Sequence, residues 1–220
     1  MRTPAVEDYL KTIYEIEHDQ GRVATTALAE RLRVTPASVT GMIKKLADMH
    51  LVAYEPYQGV ILTEAGRKIA LEVIRHHRLI ELYLAEALGV PWDRVHEEAD
   101  KWEHILSEDL EDRIDALLGY PTLDPHGAPI PTREGEMASS PRERLADLQP
   151  AQRALIAEVS DHDAVLLREL GACGIYPGTQ VEILARGGET MTLRLGEMIH
   201  AIPLEMAIFV FVQDVRPVDR

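Results

Sequence analysis

The segment from Val23 to Arg67, VATTALAERLRVTPASVTGMIKKLADMHLVAYEPYQGVILTEAGR, leaves few folds open to the chain. Helical spacing over Thr26 to Leu32, a tight turn at Arg33 to Thr35 and a second helix opening on Pro36 predict a helix-turn-helix. The stretch LVAYEPYQGVILT then alternates apolar residues about Gln58-Gly59, the pattern of a two-stranded hairpin, which completes a winged helix. The second helix starts with small and hydroxyl residues, Thr35, Pro36, Ala37, Ser38 and Thr40, and carries Lys44 and Lys45 further on. Small residues let a helix come close to base edges while lysines meet phosphates, so these residues and Gly41 are the candidate contacts to double-stranded DNA. Gly41 needs a reason of its own, because a glycine inside a helix costs about 1 kcal/mol relative to alanine. Close approach either to DNA or to the preceding helix would supply one.

The net charge of −14 at first argues against nucleic acid, but it is unevenly spread. Residues 1–70 hold nine Lys/Arg and nine Asp/Glu, whereas residues 71–140 hold six against sixteen. A carboxylate-rich middle segment repels itself until cations neutralise it, which is one way of holding a chain in a metal-dependent state. The single cysteine, Cys173, excludes an internal disulfide and a cysteine-rich zinc site, so carboxylates and imidazoles must hold any metal. No apolar run approaches the roughly 20 residues of a membrane span, and the opening MRTPAVEDYLKTIYEIE lacks the apolar core of a signal peptide. A cytoplasmic protein with no membrane partner is expected.

Ligand types gather in the middle. DRVHEEADKWEHILSEDLEDRIDALL, residues 93–118, reads as one long helix on which His96, Asp100, Glu103 and His104 span an arc of about 100°. An apolar stripe of Ala99, Trp102, Leu106, Leu110, Ile114 and Leu117 runs beside that arc. A second long helix, 64–88, places His77 and Glu81 one turn apart, and the short link Gly89-Val90-Pro91 predicts antiparallel packing that carries His96 toward them. The Pro- and Gly-rich stretch GYPTLDPHGAPIPTREGEMASSP reads as loop and linker. Beyond it, residues 142–170 read as a lead-in with a turn or two of helix over Asp163 to Leu170. The segments QVEILARG, TMTLRLG, MIHAIP and AIFVFVQDV then predict a small SH3-like β-barrel.

In order and spacing, EDYLKTIYEIE, LAERLRVTPASVTGMIKKL, RHHRLIELYL, VHEEADKWEHILSEDLEDRI, PHGAPIP and GIYPGTQVEI resemble the diphtheria toxin repressor family of metal-dependent transcriptional regulators in its three-domain form. The resemblance covers essentially the whole chain. It implies a mainly α protein with a small all-β domain. A winged helix-turn-helix DNA-binding domain would occupy 1–70, a helical metal-binding and dimerisation domain with a Pro-rich linker 71–140, and an SH3-like (FeoA-like) barrel 141–220. It also implies a homodimer that binds divalent metal and then a palindromic operator.

Carried over residue by residue, the resemblance assigns Asp8, Asp100, Glu103 and His104 to a primary, activating metal site. His77, Glu81 and His96 fall at an ancillary site, to which Asp163 lends a carboxylate from the barrel; water, Asp161 or His162 are open as its completion. Iron-responsive members of the family have Met and Cys where this chain has Asp8 and Asp100. Hard oxygens in place of soft sulfur favour Mn(II) over Fe(II), with Zn(II), Co(II) or Cd(II) as surrogates. Two-domain manganese regulators carry an acidic residue where this chain has Lys11, and a cation cannot ligate metal, so two separate mononuclear sites are expected rather than a binuclear one. The expected function is a Mn(II)-activated repressor of metal-uptake genes. The rivals are an Fe(II)-responsive regulator of the same kind, a winged-helix regulator sensing a non-metal ligand, and a metallohydrolase. The last fits poorly, since HEEAD at 96–100 ends in Asp100 where H-E-x-x-H requires a second histidine, and an enzyme is not expected.

Overall fold

The computed structural model describes residues 2–55, 58–141 and 143–218, and the side chains of all of these except 18–20. It comprises two compact units, the first made of Met1–His77, Glu103–Ser107 and Pro131–Met137, the second of Arg78–Trp102, Glu108–Ile130 and Ala138–Arg220.

In the first unit, α1 (Pro4–Gln20) opens with Pro4 after the extended Thr3, and α2 (Thr25–Arg31) and α3 (Pro36–Asp48) form the helix-turn-helix. The Thr35 hydroxyl caps α3, accepting from the Ser38 backbone N–H at 3.2 Å, which satisfies one of the free amides at the helix start. Val6, Leu10 and Ile13 of α1, Leu28 of α2, and Val39, Ile43 and Leu46 of α3 are fully buried in one core. Each such side chain contributes about 1.5–3 kcal/mol relative to exposure. With that face of α3 committed to the core, Ala37, Ser38, Gly41, Lys44 and Lys45 are exposed on the other. The wing follows as β1 (Val52–Glu55) and β2 (Gly59–Leu62), antiparallel, with Glu55 opposite Gly59; Pro56 and Tyr57 at its tip lie outside the described residues. α4 (Glu64–Leu88) begins where a methyl on Gly66 would strike the Leu51 carbonyl oxygen, so glycine alone lets the helix start that close to the wing.

The long helix expected over 93–118 is two helices, α5 (Val95–Trp102) and α6 (Glu108–Leu117). Ser107 followed by Glu108, Asp109 and Glu111 is a helix-start signal inside the periodic stretch: a hydroxyl at the N-cap position and acidic residues in a first turn, where the helix dipole favours negative charge. The break frees Glu103 and His104 from helical geometry. The apolar stripe also differs from expectation: Ala99 and Ile114 are buried, whereas Trp102, Leu110 and Leu117 are exposed.

The second unit ends in a six-stranded antiparallel sheet of SH3-like kind. Its strands are β3 (Glu143–Arg144), β4 (Gln152–Val159), β5 (Gln180–Gly187), β6 (Thr190–Leu195), β7 (Met198–Pro203) and β8 (Val210–Pro217), in the order β3-β8-β4-β5-β6-β7. Between β4 and β5 runs α7 (Ala164–Ala172), and a single turn of helix, α8 (Leu204–Ala207), takes the start of the strand expected from Ala207. β4 lies where only a lead-in was expected. Irregularities in its pairing between Arg153 and Leu155 and between Ile156 and Glu158 interrupt the alternation that marks a strand.

Candidate functional site

The first cluster belongs to the first unit. Asp8 comes from the second turn of α1, and Glu103 and His104 from the bend after α5; one ligand atom of each lies within 4.8 Å of the others. His104 Nε2 is 2.9 Å from Asp8 Oδ1 and 3.7 Å from Glu103 Oε1. His104 Nδ1 donates to Glu7 Oε2 at 2.6 Å, and Arg2 holds the other oxygen of Glu7 at 2.6 Å. Lys11 Nζ donates to Glu103 Oε2 at 2.8 Å and stands 3.0 Å from Nδ1 of His77, which meets the same oxygen in a short contact. His76 Nδ1 donates to the Glu103 carbonyl at 3.2 Å and so pins the bend. Burial pushes the Asp8 carboxyl up, with His104 opposing it and Glu103 adding to it. Burial also disfavours charge on Glu103, but His77 and Lys11 outweigh it and hold that carboxyl below its usual range.

The second cluster lies in the second unit and is centred on Glu81, fully buried in α4. Glu81 Oε1 accepts from His96 Nδ1 at 3.1 Å, and Asp161 Oδ2 lies 3.5 Å from the same nitrogen. On the other side Glu81, Asp124 and His126, all buried, bring ligand atoms within 4.8 Å of one another. The loop holding Asp124 and His126 is tightly built: Asp124 Oδ1 accepts from the His126 and Ala128 amides at 2.8 and 3.0 Å. Gly127, at φ +88°, has no room for a methyl against the Ala157 carbonyl. His126 Nε2 donates to the Trp92 carbonyl at 2.8 Å, and its Nδ1 faces Glu81 Oε2, 3.9 Å away. Among the described residues, that buried nitrogen has no hydrogen-bond partner, and Asp124 Oδ2 lies 3.5 Å from Arg78 Nε.

Crowded negative charge marks this cluster. Burial and then the neighbouring Glu81 push the Asp124 carboxyl up to about 7. Burial pulls the His96 imidazole down, but Asp161 and Glu81 outweigh it and raise it to about 11. Burial likewise opposes ionisation of Asp161, which His96 and His162 nevertheless hold well below the carboxylate range. Buried oxygen and imidazole donors and an excess of carboxylates fit a divalent cation.

The site residues expected from sequence separate as follows. Asp8, Glu103 and His104 come together. Asp100, on α5 in the second unit, is half exposed with its carboxylate 3.8 Å from His96 Nε2. Glu81 and His96 come together; His77, one turn before Glu81 on α4, also bonds Glu103 in the first unit. Asp163 is the N-cap of α7, its Oδ1 accepting from Val165 and Leu166 at 2.8 and 3.2 Å, and Asp161 lies beside His96. Sequence reasoning missed Glu7, Asp124 and His126. An Asp and a His two apart, closed by glycine in a proline-rich loop, was the available signal for the last two.

On α3, the Thr35 and Ser38 hydroxyls bond each other at 2.9 Å and Thr40 Oγ1 donates to the Pro36 carbonyl at 2.9 Å. These groups organise the helix start, and the outward face is left to Ala37, Ser38, Gly41, Lys44 and Lys45. A methyl built on Gly41 meets nothing within 4 Å among the described residues, so packing against α2 does not require this glycine.

A winged helix-turn-helix, a carboxylate- and imidazole-lined metal-binding region and an SH3-like domain define a metal-dependent DNA-binding regulator. Residues 1–60 match the family described as iron dependent repressor, N-terminal DNA binding domain; residues 63–132 match its metal binding and dimerisation domain, and residues 143–214 the FeoA domain. The iron-dependent repressor IdeR of Mycobacterium tuberculosis is 33% identical over 90% of this chain and 96% of its own length. The HTH-type transcriptional regulator MntR of Oceanobacillus iheyensis is 38% identical over 54% of this chain and 81% of its own. A solved manganese-dependent transcriptional repressor in complex with manganese superposes with a TM-score of 0.88 at 35% identity, covering 94% of this chain and 98% of that one. The chain belongs to the diphtheria toxin repressor family of metal-dependent transcriptional repressors. Among the described residues, no helix is long and apolar enough to cross a membrane.

Proposed function

We propose that the chain is a Mn(II)-activated, homodimeric repressor of metal-uptake genes that acts in the cytoplasm on a palindromic operator and has no enzymatic activity. The observation that carries this reading is the first cluster, where Asp8 on α1 brings a ligand atom within 4.8 Å of those of Glu103 and His104. α1 packs into the same core as α2 and α3. Asp8, Glu103 and His104 would hold an ion together, which would fix α1 and, through that core, the placement of α3. In a dimer the two α3 helices would meet successive major grooves about 34 Å apart. Asp100 enters as a further ligand of this centre and His77 as one of the second. The second centre draws on Glu81, His96 and Asp161, with Asp124 and His126 as donors on its far side. Exposed Leu110, Leu117 and Tyr120 supply the apolar surface expected of a dimer interface.

The experiment is a titration of a duplex, selected from a random library by the Mn(II)-loaded protein, with and without metal. Affinity is expected to rise with Mn(II) by about 5- to 150-fold, the usual range of coupling between two sites. Equal affinity in excess chelator would contradict the reading.

Oxygen and nitrogen donors support manganese over iron, as does likeness to a manganese-loaded repressor, while iron-dependent relatives at 33% identity keep an Fe(II)-responsive regulator as the second reading. Zn(II), Co(II) and Cd(II) would serve as surrogates. Asp8→Met exchanges a hard oxygen for a thioether. It is expected to lower Mn(II) activation of DNA binding at least about tenfold while sparing activation by Fe(II), measured anaerobically on the same duplex. Unchanged Mn(II) activation would remove Asp8 from the ligand set.

A further inference from the structure

Glu7 touches the first cluster without being one of its assigned ligands. It is 8% exposed, and both carboxylate oxygens are committed. Oε1 pairs with Arg2 Nε at 2.6 Å, and Oε2 accepts from His104 Nδ1 at 2.6 Å. Arg2 is itself held on a second side by Glu72 at 2.9 Å. A carboxylate can only accept, so the contact fixes the hydrogen of His104 on Nδ1. The ring atom left for an ion is Nε2, which lies on the side of Asp8 and Glu103. A negative partner on the far nitrogen also makes an imidazole a better ligand.

We propose that Glu7 is a positioning residue of the first metal centre: by accepting the Nδ1 hydrogen of His104, and being steadied by Arg2, it presents Nε2 to the ion. Its neighbour in sequence, Asp8, reaches the same centre directly. Consecutive residues of α1 thus do two different jobs, one as ligand and one behind the opposite ligand. The segment before α1 is tied in as well, because Arg2 holds the carboxylate that orients the histidine.

The proposal rests on the reading of His104 as a ligand, and the test separates the two. Mn(II) binding to the full-length protein is followed by calorimetry in wild type, Glu7→Ala, Glu7→Gln and His104→Ala, with the His104 ring tautomer read by 15N NMR in the Zn(II)-loaded proteins. Glu7→Ala is expected to weaken one Mn(II) site about 10- to 100-fold, leave the other unchanged and release His104 from its Nδ1–H form. Glu7→Gln keeps an accepting oxygen but not the charge. It is expected to retain the Nδ1–H form and to lose less than about tenfold, within the range such indirect partners span. A Glu7→Ala protein with lowered thermal stability but wild-type Mn(II) affinity at both sites would overturn the proposal. Should Glu7→Ala not fold, an Nε2–H tautomer in Glu7→Gln at wild-type affinity would overturn it too. If His104→Ala leaves both Mn(II) sites intact, the ligand assignment itself fails, and this inference with it.

Discussion

Glu103→Gln is expected to weaken Mn(II) binding at the first centre by at least about 100-fold, the upper end of what even an indirect partner of a ligand costs, and to abolish metal-dependent DNA binding. Glu103 is 2% exposed and stands at the meeting point of the cluster, facing His104 with one oxygen and Lys11 and His77 with the other. The isosteric amide keeps an oxygen for the Lys11 ammonium, so the fold should survive while the ion loses a charged ligand. Glu103→Ala is a different experiment. It leaves the nearly buried Lys11 ammonium without its carboxylate, and removing one partner of a buried pair costs about 3–5 kcal/mol. The two variants together separate the ligand role of Glu103 from its structural one. Calorimetric Mn(II) titration and thermal unfolding of both, side by side, check this. Wild-type Mn(II) affinity in Glu103→Gln would remove Glu103 from the centre.

The second large effect is expected at Asp161. Asp161→Ala removes a carboxylate that pairs with His96 and faces the Glu81 cluster, and is expected to lower Mn(II) affinity at the second centre by about 100-fold. Asp163→Ala is expected to leave that affinity within about twofold, because Oδ1 of Asp163 caps α7; losing such a cap costs about 0.5–2 kcal/mol of stability. Metal binding and thermal midpoint should therefore move in different variants. The reverse pattern, with metal lost in Asp163→Ala and kept in Asp161→Ala, would restore Asp163 as the ligand from the SH3-like domain.

These two aspartates also show where sequence reading stops. The winged helix was legible because each of its parts has a local signal: Thr35 and Pro36 at a helix start, helical spacing in α2 and α3, and alternation about Gln58-Gly59. The ligand types were legible for the same reason, since spacing along one helix is a local property. What sequence did not reveal lies partly in masked local signals and partly in contacts between distant segments. The break at Glu103–Ser107 was hidden under continuous apolar periodicity, although Ser107 and the acidic residues after it marked a new start. β4 was hidden by irregular pairing that disturbs its alternation. Whether Asp161 or Asp163 faces His96 depends on which of two equivalent carboxylates becomes a helix cap. Asp124 and His126 meet Glu81 across more than 40 residues of chain, and only the fold brings them there.

The most direct measurement for the account as a whole is X-ray diffraction from Mn(II)-soaked crystals, with anomalous maps calculated at the manganese edge. Two separate peaks per chain are expected, one between Asp8, Glu103 and His104 Nε2, the other beside Glu81 with His96 or His126 and an aspartate as neighbours. No peak at Asp8–Glu103–His104, or a pair of ions bridged by Glu103 with Lys11 swung away, would contradict it.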